Sequence, residues 1–171
     1  MKCRRITINL NEVYRDIDSL TYKYAEVSDI PSPSAKSGMQ SDSGDSLDGR
    51  LLSRAVEYRD AKLRTVIGRY LAQPTQQQLE VSNVLVARDS IVYDLELDDE
   101  FQDSMLMPLC SMMSRYLTYG ALFDWYGPGM GSRQAANYEL ELTGIETELV
   151  NNLQAVTIVQ KTKQPFARRL Y

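Results

Sequence analysis

The sequence predicts a mostly α-helical fold with about four helices and one β-hairpin between the second and third helices. Apolar residues recur at steps of three and four in residues 10–26, in residues 51–72 and after residue 108, which is the periodicity of helices that pack along one face. In residues 91–97 they alternate with acids, which is the periodicity of a strand with one face in solvent. A chain of 171 residues is also long enough for a single domain with a substantial core.

The first segment, residues 1–27, is expected to contain a short strand and then a helix. Two isoleucines separated by one threonine indicate the strand, and from Leu10 the apolar spacing lengthens to three and four. Asn9 is a suitable N-cap, because its side-chain oxygen can accept a hydrogen bond from the first turn, and Glu12 follows three residues later. We therefore expect the helix to begin after Asn9 and to end near Glu26.

Residues 28–50 differ in composition from the rest of the chain and are expected to form a Ser-rich linker. They include seven serines, three glycines and two prolines, with almost no large apolar side chain. The segment is longer than most loops inside compact domains. It is therefore either a flexible spacer or a segment that becomes ordered against a neighbouring molecule.

Residues 51–156 are expected to form the helical body, which includes the β-hairpin at 79–97. The second helix should cover residues 51–72 and stop before Pro74. Its packing side is predicted to comprise Leu52, Val56, Leu63, Val66, Ile67 and Tyr70. Its charged residues, Asp60 among them, should lie mostly on the other sides. Residues 79–86 and 91–97 are predicted to be the two strands of the hairpin.

The third helix should begin near Asp99, and Pro108 should kink it or restart it, because proline lacks an amide hydrogen and clashes with the preceding turn. Glycine-rich residues 127–131 should end it. A fourth helix is predicted over residues 132–153. Its residues available for packing are Ala136, Leu140, Ile145 and Leu149. Residues 157–171 are expected to form an extended basic C-terminal arm.

Charged residues are unevenly distributed along the chain. The net charge of −4 argues against a general nucleic-acid-binding protein. Residues 89–103 contain seven acids and no base, whereas no acid follows Glu148 and three of the first five residues are basic, namely Lys2, Arg4 and Arg5. This asymmetry favours electrostatic docking between copies of the chain or onto a larger partner.

The sequence contains no recognisable catalytic or metal-binding motif. Histidine is absent, which removes the commonest general base and the commonest zinc ligand. Cys3 and Cys110 match no metal or redox spacing and are expected to be free thiols in a reducing compartment. The loop at 127–131 follows a helix and lacks the lysine of a phosphate-binding loop. We therefore expect no enzymatic activity, no cofactor and no metal site.

Two sets of residues are candidates for contacts with a partner. The first is the C-terminal arm, where apolar anchors alternate with bases: Lys161, Lys163, Pro165, Phe166, Arg168, Arg169, Leu170 and Tyr171. The second is the polar side of the predicted hairpin: Asp94, Glu96 and Asp98. The alternatives are a frayed terminus for the arm and a solvated strand face for the acids.

Several short patterns, taken in this order, resemble a known family. They include Val13-Tyr14-Arg15-Asp16-Ile17 in the first helix, Tyr93-Asp94-Leu95-Glu96-Leu97 in the hairpin, Trp125-Tyr126 at the end of the third helix and the basic residues around Pro165. With this order of elements, the chain resembles small structural proteins of tailed phages and prophages of Bacteroides-type gut bacteria. It is similar, more loosely, to the helical head–tail connector (adaptor) proteins of the phage neck.

The resemblance implies a structural virion protein that forms a homo-oligomeric ring, about a dozen copies, between portal and tail. Its partners would be other copies of itself, the portal protein, and tail or stopper proteins. It would be assembled in the cytoplasm of the bacterial host and located in the virion neck, with no membrane contact. DNA would pass through without sequence-specific contact, and the acidic hairpin would line the lumen or face the tail proteins. The alternatives are a tail-completion or terminator protein, and a small phage protein that binds a host protein.

Overall fold

The computed structural model describes residues 1–27, 47–72, 88–127 and 133–162. Within these ranges the elements are β1 (Lys2–Asn9), α1 (Leu10–Val27), α2 (Leu47–Val66), β2 (Ser90–Leu97), α3 (Leu106–Tyr126) and α4 (Arg133–Thr162). Short 3-10 turns cover Gly68–Tyr70 and Asp103–Met105. The predicted class, mostly α with four helices and a pair of antiparallel strands, is confirmed.

The start of α1 is fixed by the residue predicted to cap it. The Oδ1 atom of Asn9 accepts a hydrogen bond of 2.9 Å from the backbone N–H of Asn11, which has no partner inside the helix. The N–H of Leu10 donates to the carbonyl oxygen of Asp89, also at 2.9 Å. Val13 and Ile17, one turn apart on the predicted apolar face, are fully buried.

The partner of β2 differs from the one predicted. β2 pairs in antiparallel register with β1, so that Lys2 lies opposite Leu97 and Asn9 lies opposite Ser90. The predicted partner, residues 79–86, lies outside the described residues. A separate single bridge joins Leu95 to Leu71. The sheet therefore connects two segments that are distant in the sequence, where we had expected a local hairpin.

The bounds of α2 and α3 differ from the predicted bounds. α2 begins at Leu47, so the last residues assigned to the linker, 47–50, are helical, and residues 28–46 lie outside the description. α2 ends at Val66 instead of near residue 72. α3 begins at Leu106, well after Asp99, with Pro108 in its first turn. Proline is tolerated there because first-turn amides have no partner inside the helix. Pro108 thus belongs to the start of α3, and the prediction of a helix that begins near Asp99 and is kinked or restarted at Pro108 is wrong.

α4 is longer than predicted. It continues to Thr162, so residues 157–162 are helical and not extended, and residues 163–171 lie outside the described residues. The physical reason is the absence of a breaker, because residues 154–162 contain neither glycine nor proline and the first proline after them is Pro165.

α3 is the central helix of the body and packs against α1, α2, α4 and β1. The buried face of α4 is formed by Leu142, Ile145, Leu149 and Leu153. Ile145 and Leu149 were predicted to pack, but Ala136 and Leu140 are exposed. Leu140 and Ile145 are five positions apart, which places them on different sides of a helix with 3.6 residues per turn. No helix in the described part of the chain is long and apolar enough to cross a membrane.

Candidate interaction surfaces

The predicted acidic surface lies on the outer side of β2, but one of its carboxylates is paired within the molecule. Burial alternates along the strand, with the residues at odd positions from Ile91 to Leu97 buried. Asp94, on the other side, accepts hydrogen bonds of 2.7 and 3.2 Å from the guanidinium of Arg5, its neighbour across the sheet. These hydrogen bonds hold the pKa of the Asp94 carboxyl below its usual value. Glu96, opposite Cys3, is exposed.

The basic N-terminus pairs with the rest of the acidic run. The amino group of Met1 lies 3.1 Å from Asp99, and the Nε atom of Arg4 lies 2.6 Å from Asp103. The carboxylate of Asp98 accepts a 3.4 Å hydrogen bond from the backbone N–H of Glu100 and thus shapes the turn after β2. The basic N-terminus and the acidic run therefore neutralise part of each other within one chain.

The structure reaches only the beginning of the predicted C-terminal arm. Lys161 lies in the last turn of α4. The other arm residues, Lys163, Pro165, Phe166, Arg168, Arg169, Leu170 and Tyr171, lie outside the described residues. A role for the arm in docking remains a prediction.

Sequence reasoning missed an ion pair between α2 and α3 in which the arginine is buried and the aspartate is partly exposed. Arg59 is buried, and its guanidinium donates to both carboxylate oxygens of Asp124, at 2.8 Å from Nε and 2.5 Å from Nη2. The same guanidinium lies over the ring of Phe123, 5.2 Å from its centroid. A Cβ atom at Gly120 would lie 2.5 Å from Cδ of Arg59, so the glycine makes room for the arginine stem.

The next residue along α2, Asp60, anchors a second buried polar network. Its Oδ1 atom accepts hydrogen bonds of 2.7 Å from the Tyr93 hydroxyl and 3.0 Å from Arg64, and Arg88 donates to Oδ2 at 3.4 Å. Burial, together with the negative charge of Asp60, raises the pKa of Tyr93. Asp60 was expected on an exposed side of α2, but it is buried and bound there by the buried Tyr93 of β2.

A polar contact and an aromatic cluster join α3 to α4. The hydroxyl of Tyr116 donates a 2.8 Å hydrogen bond to Glu146. Burial is the larger cause, and this hydrogen bond the second cause, of a raised pKa of Tyr116. Tyr138 lies near two rings of α3, with centroid distances of 5.6 Å to Tyr119 and 6.2 Å to Tyr126. These contacts hold the two helices together along one face of each.

The buried charged groups of α2 are bound by other groups of the same chain. In both networks of α2, carboxylates meet guanidinium or hydroxyl groups of the same molecule, so their hydrogen-bonding capacity is used within the fold. In the part of the chain that the structure describes, no three His, Cys, Asp or Glu side chains lie close enough together to hold a metal ion. Cys3 is exposed, Cys110 is half-buried, and both are free thiols.

Comparisons with family models, with curated proteins and with solved structures found no match. Two helices of this chain, α2 and α4, each expose at least one large apolar or aromatic side chain on the outer side.

The α2 surface is a stripe of exposed residues along the side of α2 that faces away from the core. It comprises Leu51, Arg54, Tyr58 and Lys62. Leu51 is 50% exposed and Tyr58 is 52% exposed, although both are large apolar or aromatic side chains. The Nζ atom of Lys62 lies 4.9 Å from the centroid of the Tyr58 ring. The stripe thus combines a partly apolar centre with two positive charges.

The α4 surface is the corresponding outer side of α4. Its central residues are Leu140, Gly144, Thr147 and Asn151, and Glu139 and Glu148 lie on its two flanks. Leu140 is 74% exposed. A Cβ atom at Gly144 would meet no heavy atom within 4 Å, so the backbone there is accessible to another side chain. This surface therefore presents one exposed leucine and an open glycine backbone between negative charges.

Proposed function

We propose that this protein is a structural component that acts by binding other polypeptides, and that it serves as a head–tail connector (adaptor) in a tailed phage. Its copies would form a ring between the portal and the tail, in contact with the portal protein and with tail or stopper proteins. The phage setting rests on the resemblance of the sequence patterns. The mode of action rests on the distribution of polar and apolar groups in the described residues.

The main support is that charged groups are paired inside the body while apolar side chains are exposed on its outside. Arg59 and Asp60, the buried charged residues of α2, are both held by partners within the chain. By contrast, Leu51 and Tyr58 on α2 and Leu140 on α4 are at least half exposed. A protein that binds through helix faces needs this arrangement, whereas an enzyme needs polar groups directed into a cleft.

Purified phage particles test this proposal. If the protein is a connector, quantitative mass spectrometry should find it in particles of the phage that encodes it, in about the same copy number as the ring-forming portal protein. Its absence from the particles would contradict every virion role and would favour the alternative of a host-binding protein.

A binding assay separates the connector from a tail-completion protein. The purified chain should bind purified portal protein and should not bind the assembled tail tube in the absence of portal. Binding to the tail tube alone would favour the tail-completion or terminator alternative.

A further inference from the structure

We infer that copies of this chain associate head to tail, with the α2 surface of one copy packed against the α4 surface of the next. The inference depends on the proposed function for its setting in a ring, and it adds which faces meet. The partner is a second copy of this chain.

The charges of the two surfaces are complementary. The charged residues on the α2 surface are Arg54 and Lys62, which are both exposed and lie on either side of Tyr58. On α4, every charged side chain that the structure describes, in residues 135–154, is a glutamate. Arg115 of α3 lies 3.7 Å from one of these, Glu141, and also interacts electrostatically with Glu148. Glu139 and Glu148 flank the surface. Opposite charges steer two such faces together and exclude pairing of like faces.

The shapes of the two surfaces are also complementary. Tyr58 and Leu51 project from α2, seven residues or two helical turns apart on the same side. On α4, Gly144 leaves the backbone open one turn after Leu140. A side chain from a second copy can therefore approach the backbone of α4 closely beside Leu140, as in packing of ridges into grooves between helices.

The two surfaces cannot meet within one molecule, because α3 lies between the helices that bear them. Gly120 and Asp124 of α3 contact α2, whereas Tyr119 and Tyr126 contact α4. These two pairs of residues lie on different sides of α3 at about 100° per residue. Each surface is on the side of its helix that faces away from α3. A contact between two different faces is heterologous, and repetition of it produces a closed ring or an open filament.

Pairing of identical faces is disfavoured. Two α4 surfaces brought together would place Glu139 and Glu148 of one copy near the same acids of the other, and two α2 surfaces would bring together Arg54 and Lys62. Such like-charge contacts cost free energy at an interface. The electrostatics therefore favour the head-to-tail arrangement over a symmetric dimer.

Charge reversal tests the inference with the full-length chain. The first variant combines Arg54→Glu with Lys62→Glu, and the second combines Glu139→Lys with Glu148→Lys. Each alone carries like charges on both surfaces, so its self-association, measured by sedimentation velocity over a range of concentrations, should be at least about tenfold weaker than that of the unmodified chain. Lys2→Glu and Asp16→Lys, at exposed positions away from both surfaces, are matched controls that should associate normally.

Mixing the two variants provides the decisive measurement. In an equimolar mixture, each surface of the first variant meets an oppositely charged surface of the second, so assemblies of the original size should reappear. This restoration also shows that both variants are folded. Normal association of either variant alone, or no restoration on mixing, would overturn the inference.

The outcome is separable from the test of the proposed function. If the unmodified chain stays monomeric at all concentrations, the inferred contact is wrong, whatever the phage particles contain. If the chain associates as described but is absent from particles, the contact stands and the connector function fails.

Discussion

Gly120 is the position in α3 where the stem of Arg59 crosses the helix, and an added methyl group has no room there. We expect Gly120→Ala to lower the free energy of unfolding by about 1–3 kcal/mol, because the arginine must move out of a well-packed site. Urea denaturation followed by circular dichroism measures the change.

Gly144→Ala is the matched control for that substitution. Gly144 is also in a helix, but nothing lies near a Cβ atom added there. Replacing glycine by alanine in a helix interior without a clash stabilises by about 0.5–1 kcal/mol. The two substitutions should therefore change the free energy of unfolding in opposite directions. Equal effects would show that the space at Gly120 is not limiting.

Tyr93 should make stability depend on pH in alkaline solution. Burial and Asp60 raise its pKa in the folded protein, whereas in the unfolded chain it ionises near the ordinary value of about 10. The folded state therefore retains a proton that the unfolded state has lost. The contribution of Tyr93 to the free energy of unfolding is fully present below about pH 10. It declines as the pH rises above that value, by at most about 1.4 kcal/mol per pH unit.

The variant Tyr93→Phe isolates this effect. It removes one titrating group, so the free energy of unfolding should fall less steeply between pH 9.5 and 11, roughly the range in which tyrosine ionises in unfolded chains. The measurement compares the slope of the free energy of unfolding against pH in the variant and in the unmodified chain. The absolute values are not compared, because loss of the hydrogen bond to Asp60 also lowers stability at neutral pH. Asp60 keeps its contacts with Arg64 and Arg88 in this variant. An unchanged slope would contradict the assignment.

Single residues were predictable where the determinant is local. Asn9 was identified as the cap because capping requires only a short polar side chain before an apolar face. Arg59 was missed, because charge alone was taken to indicate exposure. The available signal was its position, three residues after Val56 and four before Leu63, both buried. A charged residue at such a position in an apolar face indicates a buried partner, here Asp124.

At the scale of elements, the pair Arg59–Asp124 connects α2 to α3 and can be tested by removing one partner. Asp124→Asn leaves the buried guanidinium with an uncharged partner. Breaking a fully buried pair costs about 3–5 kcal/mol, and because the Asp124 side chain is 26% exposed we expect the lower end or less. Thermal and urea denaturation measure the loss.

The double variant Arg59→Met with Asp124→Leu distinguishes the charge from the packing. Removing both charges avoids an unpaired buried ion, and apolar replacements of buried pairs are often neutral or stabilising. The double variant should therefore be more stable than Asp124→Asn alone. If it is the less stable of the two, the contacts of the Arg59 stem matter more than its charge.

The C-terminal residues after α4 give a prediction for the arm. Deletion of residues 163–171 leaves all of α4 in place, since the helix ends at Thr162. The shortened chain should keep its helical content and thermal stability but lose binding to portal protein, as measured by co-sedimentation. Full retention of binding would show that the arm is not a docking segment.

The type of each element could be predicted from the sequence, but the strand that pairs with β2 could not. The alternation in β2 and the helical periods in α1 to α4 are properties of short segments, and the structure confirms them. The partner of β2 depends on which segment covers the rest of the core. Short-range rules favoured residues 79–86, but the structure gives β1. The exposed position of Leu140 was missed for a similar reason, because the face of α4 that packs depends on α3.

At the scale of the whole molecule, the core is completed when β1 pairs with β2, which lies much later in the sequence. Arg5 and Asp94, neighbours across the sheet, are 89 positions apart in the chain. Contacts of such long sequence separation are costly in chain entropy and slow to form. The inner sides of both strands, including Ile6, Ile8 and Tyr93, belong to the single core.

During synthesis on the ribosome, β1 and α1 emerge before β2, so β1 lacks the strand with which it pairs in the described part of the chain until β2 has followed. A nascent chain that is arrested before residue 97 has left the exit tunnel should therefore be degraded readily by added protease, and a chain arrested after α3 has emerged should resist it. The apolar side of the N-terminal segment is exposed throughout that interval, which makes this segment a suitable site for chaperone binding. Protease resistance of the shorter nascent chain would refute this order of folding.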